Sequence, residues 1–381
     1  MTGEYPPMVG GIADYTEGLV TALRERGDEV TVLADRRALI GEPRLGVRAA
    51  PGWRIRRLPA LARAVRSSSP EIVHIQYQAA AFALRGAISL LPALLGDLPT
   101  VVTFHDTREP YIFPKAGRIR RWANAKLAGD ARAAICTNFA DAATLLEYGQ
   151  ARTSVIPLGN NVPCRPITPD ERSAARASLG ATGNDLLVGH FGMMGATKGV
   201  ETLVEAIASI PQALLALIGA AAGDVDPLNQ TAAHQVEAGI ASHGVGDRVA
   251  WSGLADLPTL SLLLQSCDLI ALPYLDGASY RRTSLIAALA NGCAVITTAP
   301  AAGSRSLLAG AGLPELRHGE ALWLVPPGDA AALAQAITRL ASNPDERRTI
   351  AKGGQTAASA FDWARIAGQH RAVYRSAIYG D

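Results

Sequence analysis

The sequence predicts an α/β protein built from two doubly wound, Rossmann-like domains in tandem. Short runs rich in Val, Ile and Leu alternate with Ala- and Leu-rich helical patterns along the 381 residues. Unbroken apolar runs are typical of parallel strands covered on both faces, and helices between them form βαβ units. The runs fall into two groups, and a chain of this length exceeds one ordinary hydrophobic core. We therefore expect a site in a cleft that the two domains face, beyond the carboxyl ends of their strands.

The first group of strands defines a domain over residues 1–163. Its predicted strands are residues 29–35, 71–77, 100–106, 133–138 and 153–159. Ahead of them, Gly10 and Gly11 open an amphipathic helix that a strand should precede. Only Met1 and Thr2 are left for that strand, so we expect either a start upstream of Met1 or a truncated first strand.

The second group of strands defines a domain over residues 164–360. Its predicted strands are residues 186–192, 214–220, 248–253, 269–274, 294–298 and 321–326. Prolines, glycines and charges make residues 163–185 an interdomain linker with a short helix. The last segment, residues 361–381, has a helical pattern, and we expect it to return to the first domain.

Composition and charge indicate a globular protein with a basic first half. Hydrophobic residues make up 49% of the chain and charged residues 18%, which excludes a disordered chain. Residues 1–165 hold 21 Lys and Arg against 15 Asp and Glu, whereas the remainder holds 15 against 19. A basic surface can attract an anionic substrate or membrane, and a solvated basic face is the simpler interpretation. The acidic second half argues against nucleic-acid binding.

Two basic segments, residues 54–66 and 115–126, raise the question of membrane contact. Both are partly amphipathic, so they could dock weakly on an anionic leaflet or hold a lipid-linked acceptor, although ordinary surface helices are the simpler interpretation. Residues 79–98 are apolar but interrupted by Arg85 and Gly86, which favours a buried helix and loop over a membrane span. No signal peptide opens the chain.

The cysteines indicate the cellular compartment. Cys136, Cys164, Cys267 and Cys293 form no CxxC pair, so the sequence predicts neither a zinc site nor a redox pair. A reducing, cytoplasmic location fits this pattern. Within the cytoplasm, peripheral contact with the inner face of the membrane stays open.

A glycine loop with a lysine follows the first strand of the second domain. Gly192 ends that strand, and Lys198 lies just before a helix that opens at about Gly199. A cation at the positive end of a helix is unfavourable on its own, so we expect an anion nearby. The alternative is a solvated lysine.

A double arginine, Arg281–Arg282, stands before another helix of the second domain. The hydroxyl residues that can cap this helix are Ser279, Thr283 and Ser284. Two guanidinium groups at a helix N-terminus predict a dianionic ligand, so this loop and the Lys198 loop together would hold a diphosphate. The alternative pairs one arginine with Asp276 and leaves the other in solvent.

Three polar residues, His74, Gln76 and His105, lie at the ends of predicted strands of the first domain. His105 lies at a strand end, where it could orient a sugar hydroxyl, support departure of a leaving group, or simply cap the strand. His74 and Gln76 could line the same site or be polar groups of the core. Gly10 and Gly11 let backbone N–H groups approach a phosphate or sugar, or form an ordinary tight turn.

Taken together, the motifs resemble the retaining GT-B glycosyltransferases of the group-one class, family four. The matching segments are residues 3–34, "TFHD" (103–106), "VIPLGNN" (155–161), "TKGVETLVEA" (197–206), "RVAWSG" (248–253), "LPYLDGAS" with "ALANG" (272–279, 288–292) and "LWLVPPGDAAALAQAI" (322–337). The likeness covers nearly the whole chain in order and spacing.

The resemblance implies a hexosyltransferase whose second domain binds a nucleotide-diphosphate sugar. It places Gly11 near the donor phosphates, His105 at the donor sugar and Lys198 at the diphosphate, where Arg281, Arg282 and Thr283 look like a variant phosphate-binding group. The first domain would hold an acceptor that is a small metabolite, a glycan or a lipid carrier. The candidate acceptor residues are His74, Gln76 and Tyr111. The resemblance further implies retention of anomeric configuration, with no cofactor and no metal.

The sequence departs from the family pattern at the donor site. Met193 stands where an arginine is frequent. Counting back from Gly292 puts Ser279 and Ala287 at the places of two usual glutamates, and a loop longer by three residues would bring Asp276 to the first of them. Because a ribose-binding carboxylate is missing, a GT-B-shaped nucleotide-sugar epimerase and a non-catalytic nucleotide-sugar-binding partner stay open as alternatives.

Overall fold

The structure, a computed structural model, describes residues 1–8, 10–107, 117–149, 153–219, 227–300 and 313–380. The chain divides into two units. Unit 1 consists of Met1–Gly159 with Asp362–Asp381, and unit 2 consists of Asn160–Phe361. The division falls four residues before the boundary expected from the sequence.

Unit 1 alternates strands and helices. Its strands are β1 (Val32–Ala34), β2 (Val47–Ala49), β3 (Val73–Tyr77), β4 (Thr100–Phe104), β5 (Ala133–Cys136) and β6 (Thr153–Val155). Its first helices are α1 (Gly11–Glu25), α2 (Leu58–Arg66), α3 (Leu91–Leu95), α4 (Gly117–Asp130) and α5 (Phe139–Glu147). Strands β3 to β6 form a parallel sheet in sequence order, and β1 pairs with β2 in a second parallel sheet.

The first two residues lie between these two sheets. Thr2 donates its N–H to the carbonyl of Leu33 at 3.0 Å, and Gln76 donates its N–H to the carbonyl of Met1 at 2.8 Å. Thr2 also forms a parallel bridge with Gln76. The strand that the sequence shows to be short is therefore present as a single bridging pair.

Unit 2 is a regular doubly wound domain. Its strands are β7 (Leu186–Phe191), β8 (Ala213–Ile218), β9 (Val249–Gly253), β10 (Leu269–Leu272), β11 (Val295–Thr298) and β12 (Trp323–Val325). Its helices are α6 (Pro169–Ser178), α7 (Val200–Ala208), α8 (Pro227–Ser242), α9 (Leu257–Ser266), α10 (Thr283–Ala290), α11 (Ala330–Ser342) and α12 (Pro344–Ala358). The sheet order is β12-β11-β10-β7-β8-β9, all parallel. The strand order reverses between β7 and β10, and such sheets bind ligands at this switch point.

The expected linker belongs to unit 2. Within residues 163–185, α6 begins with a capping box in which the Thr168 hydroxyl accepts from the Glu171 N–H and the Glu171 carboxylate accepts from the Thr168 N–H. Such reciprocal bonds satisfy two of the N–H groups that a helix start leaves unpaired.

The final helix, α13 (Trp363–Tyr379), completes the core of unit 1. Its Ile366 and Ala367 pack with the buried face of α1. Glycines at positions 18 and 159 make room for the Trp363 ring, which a Cβ at either position would overlap. This helix is therefore grouped with Met1–Gly159 in unit 1.

Candidate functional site

The loops after β7 and β10 meet at the switch point of unit 2. Leu275 donates its N–H to the carbonyl of Thr197 at 3.0 Å, which joins the two loops. The loop after β7 carries Lys198 into the start of α7, and the loop after β10 carries Arg282 into the start of α10. The two cations predicted from separate motifs therefore stand at neighbouring strand ends.

The buried ring of Tyr274 joins these cations. Lys198 Nζ lies 5.4 Å from the ring centroid and the Arg282 guanidinium carbon lies 4.7 Å from it. A cation over an aromatic face is attracted by the ring quadrupole. The Tyr274 hydroxyl shares a hydrogen bond of 2.7 Å with Ser284 Oγ, which fixes the ring. One tyrosine thus holds both positive groups in a small space.

The two cations differ in their partners. Arg282 pairs with the Asp276 carboxylate and donates to Thr197 Oγ1 at 3.1 Å. Lys198 has no carboxylate within ion-pair distance among the residues that the structure describes. The pKa of Lys198 is lowered to about 8, mainly by burial and also by the charge of Arg282, while the Asp276 carboxylate opposes the shift. A half-buried ammonium without a counter-ion favours an anionic ligand.

Glycines keep the space beside Lys198 open. Gly192 has φ +129°, and a Cβ there would lie 3.7 Å from Ser284 and 3.9 Å from Lys198 Nζ. Gly199 has φ +65°, and a Cβ there would overlap the carbonyl oxygen of Pro273. Both positive φ values favour glycine, and a glycine lets the backbone approach a ligand closely.

The expected hydroxyl cap of α10 is wrong. Arg282 occupies the N-cap position, and no side chain accepts from the first turn of this helix. Thr283 is the first helical residue, the Ser284 hydroxyl is bonded to Tyr274, and the Ser279 carbonyl accepts from the Arg282 N–H at 3.1 Å. Leu285 donates its N–H to the Arg282 carbonyl at 3.0 Å, so among the described residues the N–H groups of Thr283 and Ser284 are left for another acceptor, as in anion sites at helix N-termini.

The alternative interpretation of the double arginine was that one arginine pairs with Asp276 and the other lies in solvent, and the structure agrees with the first half of it. Arg282, not Arg281, forms the ion pair with Asp276. The Arg281 side chain is half-buried. The pair does not neutralise the site, because Lys198 and one arginine face a single carboxylate.

A buried histidine that the sequence analysis missed lies beneath this site. His190, on β7, shares a hydrogen bond of 3.0 Å between Nδ1 and the Ala271 carbonyl, so Nδ1 carries the proton. Its Nε2 is buried without a described hydrogen-bond partner. Burial lowers the pKa of His190 to about 4, which keeps the ring neutral. The sequence shows His190 only as one residue of an apolar strand, which gives no signal of a site residue.

The glycine pair of unit 1 opens α1 as predicted. Gly11 is the first residue of the helix and Gly10 its N-cap. A Cβ on Gly11 would meet nothing within 4 Å, whereas a Cβ on Gly10 would lie 2.7 Å from Glu4 Oε2. The structure leaves the predicted role of this pair at the donor phosphates as a prediction.

His105 lies at the carboxyl end of β4, where the sequence places it. Its Nε2 lies 2.9 Å from Gln76 Oε1, and its ring meets the Tyr15 ring edge-on at 4.7 Å between centroids. Burial lowers the pKa of His105 to about 3, and a neighbouring histidine, His370, adds to the shift. The ring is therefore neutral at physiological pH, which makes it a hydrogen-bonding group rather than a charged one.

His74 and Gln76 lie on β3 beside His105. Both ring nitrogens of His74 are engaged, Nδ1 with the Tyr374 hydroxyl at 2.7 Å and Nε2 with Thr103 Oγ1 at 2.8 Å. These bonds make His74 part of the interior of unit 1. The remaining acceptor candidate, Tyr111, lies outside the described residues.

Metal and membrane features can be stated for the described ranges only. Within them, no group of three or more His, Cys, Asp or Glu side chains could hold a metal ion. None of the described helices is both long and apolar enough to cross a membrane.

Two family models match the chain in the order of its two units. A model of the glycosyl transferase 4-like domain matches residues 10–159, and a model of the glycosyl transferases group 1 matches residues 185–343. The chain belongs to the group-one glycosyltransferases. The predicted GT-B fold and glycosyltransferase activity are thereby confirmed, and the epimerase and binding-partner alternatives are not favoured.

Individual relatives agree with this assignment. The phosphatidyl-myo-inositol mannosyltransferase of Mycobacterium leprae is 25% identical and covers 96% of this chain and 93% of its own. Sucrose-phosphate synthase from Thermosynechococcus elongatus has a TM-score of 0.76 at 23% identity, covering 98% of this chain and 95% of its own. Anabaena HepE in complex with UDP-glucose has a TM-score of 0.75 at 22% identity, covering 98% of both chains.

Proposed function

We propose that this glycosyltransferase retains anomeric configuration, needs no metal, and takes a nucleotide-diphosphate sugar whose diphosphate binds to unit 2. The observation that carries the proposal is the pair of cations on Tyr274. Lys198 without a counter-ion, Arg282 and the uncapped start of α10 converge on one switch point. These groups offer a diphosphate two cations and backbone N–H donors in a partly water-excluded place.

Positive charge at this place assists departure of the leaving group. The bond from the anomeric carbon to the diphosphate oxygen breaks, and negative charge grows on that oxygen. Lys198 and Arg282 stabilise this charge more in the transition state than in the ground state. The acceptor oxygen bonds to the anomeric carbon on the same face, and its proton passes to the leaving phosphate. No protein nucleophile is needed, and the sugar keeps its configuration.

The nucleotide can be identified by thermal stability. We expect one of UDP, GDP, dTDP and ADP to raise the Tm of the protein, to the same extent with Mg²⁺ or with EDTA, because protein cations neutralise the diphosphate. UDP is the first to test, since HepE was solved with UDP-glucose. The measurement is a thermal-shift series over nucleotide concentration.

The test variant is Lys198→Ala, and its control removes a lysine charge elsewhere in unit 2. Lys198→Ala should lose the nucleotide-dependent shift, whereas Lys352→Ala, an exposed lysine on α12, should keep it. A shift that requires Mg²⁺ would overturn metal independence, and an equal shift in both variants would overturn the diphosphate site.

We propose that unit 1 binds the acceptor, a hydroxyl of a small metabolite, a glycan or a lipid carrier. The M. leprae relative is named for phosphatidyl-myo-inositol, so inositol-bearing compounds are the first acceptors to assay. His105 supports this proposal from the chemistry of its ring, which is neutral and lies at a strand end. A neutral imidazole can orient a hydroxyl of the donor or acceptor.

We also propose peripheral contact of unit 1 with an anionic membrane through α4, at the cytoplasmic side. In the first basic segment, α2 buries Leu58 and Leu61, and Ile55 before the helix is 66% exposed. On α4, Ile119 is 67% exposed and Trp122 is 53% exposed. Exposed Trp and Ile beside arginines fit a lipid interface.

The membrane contact is testable by vesicle flotation. We expect the double variant Ile119→Asp, Trp122→Asp to bind anionic phospholipid vesicles several-fold more weakly than the unaltered protein at low salt, because it loses apolar contacts and gains negative charge. The control is Leu254→Asp, which changes an exposed leucine of unit 2. Absence of wild-type binding, or equal loss in the control, would end this proposal.

A further inference from the structure

The bond between His105 and Gln76 determines which ring nitrogen of His105 carries the proton. His105 Nε2 lies 2.9 Å from Gln76 Oε1. An amide oxygen only accepts, so Nε2 must be the N–H. A neutral imidazole has one N–H, which leaves Nδ1 as a bare lone pair. In this tautomer the free side of His105 can accept a hydrogen bond and cannot donate one.

The orientation of Gln76 is itself held by its surroundings. The side chain is 3% exposed, and its Nε2 lies 3.3 Å from Nδ1 and 3.4 Å from Nε2 of His74. These nearly equal distances put the amide nitrogen over the face of the His74 ring, whose two nitrogens are already engaged by hydroxyl groups. An N–H donor is favoured over a carbonyl oxygen at an aromatic face, so the amide nitrogen belongs on the His74 side and the oxygen on the His105 side. Tyr374 of α13 and Thr103 of β4 fix the His74 ring in turn.

The opposite side of His105 is held by α1 and α13. Tyr15 of α1 meets the His105 ring edge-on, and its hydroxyl lies 3.2 Å from Nε2 of His370. His370 Nδ1 lies 2.9 Å from the Ile366 carbonyl, so that nitrogen carries the proton and Nε2 accepts from Tyr15. The Tyr15 hydroxyl is thereby committed as a donor to His370. It does not compete with Gln76 for the His105 ring.

We propose that Gln76 is a positioning residue that holds His105 as the Nε2–H tautomer, so that Nδ1 serves as the acceptor for a hydroxyl group of the bound sugar or acceptor. The inference rests on the proposed function for the identity of the ligand, and on the bonds of unit 1 alone for the tautomer. Gln76 acts through His105 and needs no contact with substrate.

The experiment compares two substitutions at position 76. Gln76→Leu removes the acceptor while keeping a similar volume, and Gln76→Glu keeps an oxygen acceptor for the His105 Nε2–H. Spectra of protein labelled with ¹⁵N-histidine distinguish a protonated from a bare ring nitrogen, and His105→Asn assigns the signal. The control is Ser89→Ala, which removes a buried hydroxyl of unit 1 that bonds to the Gly86 carbonyl and has no described bond to His74, Gln76 or His105.

We expect the Nε2–H tautomer of His105 in the unaltered protein, in Gln76→Glu and in Ser89→Ala, and a mixture of tautomers in Gln76→Leu. In a transfer assay, kcat should fall about 10-fold or more in Gln76→Leu and recover largely in Gln76→Glu, because an orienting hydrogen bond is lost and restored. A bare Nε2 in the unaltered protein, or an unchanged tautomer in Gln76→Leu, overturns the inference.

The two proposals fail differently. If the protein transfers no sugar while the tautomer responds to Gln76→Leu, the proposed function fails and the positioning stands. If the protein transfers sugar and the tautomer does not respond, the positioning fails alone.

Discussion

Replacing Lys198 with alanine is expected to lower kcat for sugar transfer by about 100-fold or more, which is typical for removal of one group that stabilises transition-state charge. Lys198 lies over Tyr274 without a described counter-ion, so its charge is available to the leaving diphosphate. The protein should stay folded, because burial already opposes the charged form of this side chain. The measurement is kcat and KM with the donor identified by thermal shift.

Arg282→Ala extends the same test. It should also reduce kcat strongly, and it frees Asp276 to oppose the diphosphate. Lys352→Ala and Arg348→Ala, on the exposed face of α12, provide controls that change charge in unit 2 away from the switch point. If kcat/KM is unchanged in both Lys198→Ala and Arg282→Ala, the diphosphate assignment is wrong.

Gly199→Ala is expected to cost about 3 kcal/mol of unfolding free energy and to disable the donor site. Gly199 has φ +65°, and a Cβ would overlap the Pro273 carbonyl oxygen. The left-handed conformation costs a non-glycine residue about 1–2 kcal/mol, and overpacking adds about 1–3 kcal/mol. Relief of the overlap moves the start of α7, and Lys198 with it. Urea unfolding and the nucleotide-dependent Tm shift measure the two effects.

Gly183→Ala separates these two causes. Gly183 also has a positive φ, +48°, but a Cβ there would meet nothing within 4 Å. We expect this variant to lose only the conformational part, about 1–2 kcal/mol. If Gly199→Ala is no less stable than Gly183→Ala, the loop around Pro273 moves away from the new Cβ at no cost, and the predicted overpacking is wrong.

The strands could be predicted where the chain is buried on both faces. Strands β8 and β10 are continuous apolar runs, and β7 and β11 each begin with apolar residues, so the sequence alone marks them. Strand β2 (Val47–Ala49) escaped prediction because it is three residues long and mostly exposed, which leaves no apolar pattern to detect. For the bridging pair at Thr2, the sequence predicted only that the first strand would be short or truncated.

The candidate site could be predicted in its residues but not in its contacts. Lys198 and Arg282 were recognisable because each places a cation before a helix. Their common support on Tyr274 joins two loops more than 70 residues apart in the chain, and local pattern carries no information about such a contact. The expected hydroxyl cap failed for the same reason, because the tertiary partner of Ser284 is Tyr274.

The position of α13 affects how the protein can be made. Most domains can fold as they leave the ribosome, in the order of the chain. Unit 1 is different, because the helix that covers α1 follows all of unit 2 in the sequence. During synthesis of residues 160–361, the apolar face of α1 around Tyr15 has no partner from α13. The domain that is started first is thus finished last, and the nascent chain carries an open, aggregation-prone surface until the final helix has emerged.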